Sequence, residues 1–296
     1  IMSLARLFLV FFLWALCFPL IEVGRVDVSP LRFATMRAIL AGAVLLGTAV
    51  ILRKPWPRTR RVWLKIACIG IGATSLGFWG MFEAGRWVAP GLATVLANTQ
   101  PLIAAVLAVI FLRERLSPRL LTGLLAGFAG IALIAFTNAH PEDTADPAFG
   151  LPFLMIAILG ISGSNVLIKQ ISREIDPLVM MGLQLLIGAV PLGLAALVME
   201  ADRPFEFTAS FGLALFFLAL PGTALAYWLW TGVLRTMDLN RANAFSFLVP
   251  VIGLFIGWTY FGERFTAMTF LGIIIVLGGL TLANWPERET NHDRSK

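Results

Sequence analysis

A chain of 296 residues with 58% hydrophobic and only 14% charged side chains has too few charges to cover a water-soluble globule, and its mean hydropathy of +0.85 marks an integral membrane protein. The formal net charge of +6 does not point to nucleic acid, because the Lys and Arg residues lie in short segments between apolar runs rather than on one basic face. Two cysteines, Cys17 and Cys68, both inside apolar runs, supply no disulfide framework, zinc cluster or redox pair.

In chain order, hydropathy predicts ten helices, at 4–23, 30–52, 61–83, 90–112, 117–137, 150–170, 176–199, 209–231, 240–261 and 266–285. Each holds roughly 20 residues, enough to cross about 30 Å of hydrocarbon. The runs are too long for barrel strands and do not alternate with period two. The first has no small-residue cleavage site, so a retained helix is expected rather than a signal peptide. Ser29-Pro30, Ser117-Pro118 and Asp176-Pro177 read as helix starts. The longest connection, Thr137 to Phe149, carries Glu142, Asp143 and Asp146 but no Lys or Arg, and reads as a linker between halves.

The two halves repeat. At a constant offset of 149, Thr74 falls on Thr223, Trp79 on Trp228, Arg86 on Arg235, Pro101 on Pro250, Glu114-Arg115 on Glu263-Arg264, and Gly123 and Gly130 on Gly272 and Gly279. The expected organisation is a first five-helix repeat over 1–137, an acidic periplasmic linker over 138–149, a second repeat over 150–285 and a cytoplasmic tail over 286–296. Five spans is an odd number, so the halves enter the membrane in opposite senses. The fold class is therefore an all-α integral membrane protein of ten transmembrane helices, built as two inverted five-helix repeats. One side of this topology holds seventeen Lys and Arg residues and the other only Arg25, Arg86, Arg203 and Arg264. The positive-inside rule then places both termini in the cytoplasm.

The stretch Leu92 to Leu133, with Pro101, Phe111-Leu112-Arg113-Glu114-Arg115-Leu116 and the spaced Gly123, Gly127 and Gly130, resembles the drug/metabolite transporter superfamily, EamA branch. Its copy, Ala242 to Leu282, with Pro250 and Phe261-Gly262-Glu263-Arg264-Phe265, does so too. The run Pro30 to Arg37 is similar to the arginine-bearing second helix of that family's first repeat. Within the superfamily the chain looks most similar to bacterial aromatic amino-acid exporters. The resemblance implies a central cavity lined mainly by helices 1, 3, 4, 6, 8 and 9. It also implies a location in the bacterial inner membrane, small-molecule substrates and the bilayer as partners, and no cofactor.

Polar side chains at membrane depth are costly unless they face a partner helix or water. Thr94, Asn98 and Pro101 share one face of the fourth span, with Gln100 beside it. Asn243, Ser246 and Pro250 repeat this in the ninth, where Phe247 takes the place of Asn98. Ser162, Ser164, Asn165 and Lys169 crowd the sixth. Each of these is read either as cavity lining or as an interhelical hydrogen bond. Trp14, Phe18 and Glu22 recur at intervals of four in the first span. With Phe78, Trp79, Tyr227 and Trp228, the rings of Trp14 and Phe18 are candidate walls for a bulky apolar substrate, the other reading being plain interhelical packing. Pro101 and Pro250 are expected to kink their helices at mid-span and act as hinges.

Arg37 is the one charge well inside a span, with neutral Gln184 as its counterpart. A structural ion pair or hydrogen bonds to carbonyls are expected for it ahead of substrate contact. No acidic residue lies at the centre of a span, unlike a small multidrug-cation carrier, and no basic cluster lies there, as a phosphate-ester carrier needs. Motifs for an enzyme or a metal site are missing. Gly123-x-x-x-Gly127 is expected to pack within the bundle of a monomer, a homodimer face being the alternative. The expected activity is export of aromatic and other apolar amino acids by alternating access, the alternatives being another neutral or zwitterionic metabolite or a membrane-embedded enzyme or scaffold.

Overall fold

The computed structural model describes residues 2–24, 26–84, 87–88, 96–137, 147–203, 205–261 and 266–285. Thr94, the linker over 138–146, Glu263 and the tail over 286–296 lie outside the described residues, as do the side chains of Phe18 and Glu22. The helices are α1 (Met2–Gly24), α2 (Pro30–Ile51), α3 (Arg60–Ala84), α4 (Gln100–Leu112) and α5 (Pro118–Thr137). The second half holds α6 (Pro147–Ile171), α7 (Pro177–Met199), α8 (Ala209–Leu234), α9 (239–261) and α10 (Ala267–Asn284). Among the described residues nine helices are long and apolar enough to cross a membrane, and α4 is shorter. The starts follow local chemistry. Pro30 and Pro177 open α2 and α7 in the first turn, where a missing N–H costs nothing, and Thr59, Thr208 and Thr266 cap α3, α8 and α10 through their hydroxyls.

The proline positions do not kink continuous helices as expected. α4 starts at Gln100 with Pro101 in its first turn. α9 runs as Leu239–Ala244, a 3-10 turn Phe245–Phe247 and a final helix Leu248–Phe261, with Pro250 in the first turn of that last piece. The proline ring clashes with the carbonyl four residues back and restricts the preceding residue, so the irregularity sits just upstream of each proline.

The halves are interlocked rather than side by side. α3 packs on α6 and α8 on α1; α4 packs on α6 and α9 on α1; α3 packs on α7 and α8 on α2. Each pair becomes the next when the halves are exchanged, which is the contact pattern of a pseudo-twofold axis. The two self-equivalent pairs, α2 with α7 and α5 with α10, show the sense of the repeat. A Cβ on Gly42 would meet Leu186 and Gly182, and one on Gly193 would meet Thr35. Numbers rising along α2 therefore meet numbers falling along α7. Likewise Gly123 lies against Ala283 and Gly279, and Gly130 against Gly272 and Val276. Equivalent helices run antiparallel, so the repeat is inverted. Gly123 and Gly130 press on α10 while Gly127 presses on the Phe247 ring; the glycine row packs inside the bundle and brings backbones together.

Polar contacts tie the two ends of the bundle. At one end Lys54 pairs with Asp176 at 3.3 Å, Lys169 donates to the carbonyls of Leu234 and Met237, and Arg235 to those of Ser172 and Ile175. At the other, Glu200 accepts from the amides of Leu31 and Arg32, Arg32 donates to Ala201 and Arg203, and Asp27 accepts from the Thr208 hydroxyl.

Candidate functional site

Both α3 and α8 widen into π-helical turns, Gly70–Leu76 and Leu220–Leu225. Under the offset of 149 the two segments overlap, ending on the equivalent residues Leu76 and Leu225. Single π-turns inside α-helices leave backbone groups freer and often lie at functional sites. Each holds one fully buried threonine, Thr74 or Thr223, at 0% exposure, and each threonine meets a polar side chain from the opposite half. Thr74 donates to Gln184 Oε1 at 2.9 Å, and Thr223 accepts from Arg37 Nε at 2.6 Å. Arg37 and Gln184 both stand seven positions after the proline that opens their helix, so these are one contact made twice by the inverted repeat.

The two copies differ in charge. Arg37 lies where α1, α2, α3 and α8 converge. Its recorded partners are neutral: the Thr223 hydroxyl, Cys17 Sγ at 3.8 Å from the guanidinium, and the Phe78 ring, whose centroid is 5.2 Å from Cζ. The Thr223 hydroxyl in turn donates to the Leu218 carbonyl at 2.8 Å. A guanidinium held by neutral groups keeps much of the cost of leaving water, and an arriving anion lowers that cost. The sequence expectation of an ion pair has no counterpart among the described residues.

A cluster of rings packs between α1 and α8. Trp14 meets Tyr227 edge-on at 6.1 Å, Phe11 at 5.3 Å and Trp230 at 5.8 Å. Phe11 and Trp230 stand 5.9 Å apart, and Trp230 Nε1 donates to Asn165 Oδ1 at 3.2 Å. Sequence reasoning did not single out Phe11 and Trp230, although their spacing of three from Trp14 and Tyr227 puts each pair on one helix face.

The remaining candidates divide. Asn243 is buried and its Nδ2 has no partner among the described residues. Ser246 is half-buried. Ser164 donates to the Ile69 carbonyl at 3.3 Å and borders a cavity of about 340 Å³ between α3, α4 and α6. Asn98 is half-buried in the turn before α4, and the backbone carbonyl of Gln100 accepts from Ser162. Two expected wall residues, Trp228 and Trp79, and the expected lining residue Phe247 are elsewhere. Trp228 is 42% exposed, on the same outer face as Leu225, because it stands about a hundred degrees around the helix from Tyr227. Phe247 is buried against Gly127 and fills a packing notch rather than a cavity. Trp79 packs edge-on against Phe153 at 5.3 Å, near Leu31 and Leu192 and apart from Trp14.

The comparisons with known proteins agree with this architecture. The EamA-like transporter family model matches residues 2–136 and again 148–285. A chloroplastic WAT1-related protein of Arabidopsis thaliana is 26% identical over 285 residues, covering 94% of this chain and 68% of that protein. The uncharacterized transporter YoaV of Bacillus subtilis is 27% identical over 269 residues, 90% of this chain and 91% of its own. A probable amino-acid metabolite efflux pump of Salmonella typhimurium is 27% identical over 283 residues, 92% of this chain and 91% of that one. A solved crystal structure superposes with a TM-score of 0.82 over 96% of this chain and 98% of its own at 18% identity, which speaks to the fold alone. The chain belongs to the EamA-like transporter family, as a multi-pass, all-α membrane protein of two inverted repeats.

Proposed function

We propose that this transporter is a secondary carrier that exports aromatic and other apolar amino acids across the bacterial inner membrane by alternating access, with both termini in the cytoplasm. The observation that carries the reading is the Arg37 guanidinium at the junction of the two halves, held among the described residues by neutral partners, with the ring group of Phe11, Trp14, Tyr227 and Trp230 beside the same helices. An α-carboxylate supplies the missing anion, and an apolar or aromatic side chain suits the rings. The Salmonella relative's description as a probable amino-acid metabolite efflux pump supports the substrate class. A second reading, export of another small carboxylate, keeps the same anchor and dispenses with the rings.

Purified protein in liposomes loaded with labelled tryptophan, phenylalanine or alanine tests the proposal. The expected result is efflux saturable in each, with tryptophan and phenylalanine showing the lower KM. Efflux of none of the three sinks it, and equal KM values for all three leave the second reading.

A further inference from the structure

A polar cavity, away from the ring cluster, lies where the loop after α4 meets the start of α9. It has a volume of about 410 Å³ and is bordered by Arg113, Arg115, Ser117, Asp238, Asn240 and Arg241, with Glu114 and the apolar Leu112 and Leu120 completing it. The loop belongs to the first half and Asn240 and Arg241 to the second, so anything bound here touches both. Three guanidinium groups face two carboxylates. Of the carboxylates, Glu114 is already engaged, accepting from the amides of Leu239 at 2.8 Å and Asn240 at 3.0 Å.

Asn240 identifies the cavity as a site. Its side chain is 2% exposed, yet neither Oδ1 nor Nδ2 has a hydrogen-bond partner among the described residues. A buried amide with both atoms unsatisfied is an uncommon and costly arrangement unless a ligand completes it. That ligand must offer an acceptor to Nδ2 and a donor to Oδ1, and it must carry the negative charge that Arg113, Arg115 and Arg241 favour. Arg113 ends α4 in the left-handed region, at φ 56°, a conformation in which a side chain other than Gly, Asn or Asp is uncommon. The Glu114 amide then folds back to the Ala108 carbonyl at 3.2 Å, which turns the loop toward α9.

We infer that this cavity binds a phosphate group flanked by a hydroxyl, the guanidiniums taking the phosphate oxygens and Asn240 taking one oxygen and the hydroxyl. The chemistry is shared by a glycerol-bearing phospholipid headgroup, whose chains Leu112 and Leu120 would admit from the bilayer side, and by a free polyol phosphate. Bound there, the ligand crosslinks the two halves at this end of the bundle.

Thermal unfolding of the full chain tests this without any transport assay, so its outcome is separate from that of the carrier reading. One arm adds sn-glycerol 3-phosphate to protein in detergent, against chloride at equal ionic strength; the other compares nanodiscs of phosphatidylglycerol with nanodiscs of phosphatidylcholine. A rise in Tm of about 3 °C or more in either arm is expected; the first arm alone assigns a free ligand, the second a lipid. Asn240→Asp, which keeps the volume and adds a repelling charge, and the double variant Arg115→Gln with Arg241→Gln should each abolish the rise. Two variants guard against one failing to fold. No rise in either arm, or an undiminished rise in a folded variant, overturns the site.

Discussion

Arg37 was legible in the sequence as the lone charge inside a span, but its surroundings were not. Thr223 lies 186 positions away, and a register that pairs one half's second helix with the other half's third emerges only on folding. The Gln184 to Thr74 contact shows what the fold needs at this place, a side chain that meets the buried threonine. The positive charge is therefore an addition specific to one half. If it anchors a carboxylate, Arg37→Gln should raise KM for amino-acid efflux by about 10- to 100-fold, the equivalent of the roughly 1.5–3 kcal/mol carried by a hydrogen bond to a charged group. Because Gln serves the same position in the other half, Tm should change little. Arg37→Lys keeps the charge over Phe78 and should lie between the two. Unchanged KM in Arg37→Gln would return Arg37 to a purely structural role.

The rings are a case of partial reading at the same scale. Trp14 was singled out by depth and helix phase and Tyr227 by its match to Phe78 across the repeat, and the two rings do meet. Trp228 was taken as a wall for its depth in the span, which does not fix its direction, and its own helix turns it outward. Replacing Trp14 by Ala should weaken tryptophan efflux by about 0.5–1.5 kcal/mol more than alanine efflux, the increment of one aromatic contact. KM measured for both substrates in one preparation of vesicles decides it, and equal losses would make the ring a packing element only.

Helices as elements were legible because ten apolar runs of roughly 20 residues leave little ambiguity about where the chain crosses a bilayer; only the fourth proved shorter, Gln100–Leu112. The π-turns were not, since a single wide turn leaves no periodicity in the apolar pattern. Backbone proximity explains where they occur. At Gly188 a Cβ would stand 2.3 Å from the Gly70 carbonyl oxygen and 2.6 Å from Thr74 Cβ, so α7 lies almost against the widened turn of α3. Gly188→Ala should therefore cost about 1–3 kcal/mol by overpacking and move the Thr74 hydroxyl off Gln184. Gly163→Ala, where nothing stands within 4 Å, is the matched control and should leave stability unchanged. Thermal unfolding in detergent reads both, and equal Tm values would mean that the α3 and α7 backbones are not in contact.

For the whole molecule, the inverted repeat was legible because residues held the same register across both halves. Which contacts close each end was not, since they join segments far apart in sequence. Glu114 is the clearest such contact, reaching 125 positions to the amide of Leu239. Burial pushes its carboxyl above the usual range, against the opposing pull of the Leu239 and Asn240 amides; Asp238 adds to the rise and Lys169 offsets part of it. Arg113, Arg115 and Arg241 border the same cavity. A group whose value is raised on docking supports the docked state fully below the ordinary glutamate range, about 4.3, and that support is lost as pH rises through the raised value. If this end opens during transport, separation of the 113–117 loop from the start of α9 should become more frequent as pH rises, and the Glu114→Gln variant should lose the pH dependence. Spin labels at Leu116 and Thr236 measure the separation, and a second pair at Val26 and Phe207 monitors the other end. Alternating access requires the two distances to change in opposite senses on adding substrate. Motion at one end only, or at neither, would leave a channel or a scaffold as the better description of the molecule.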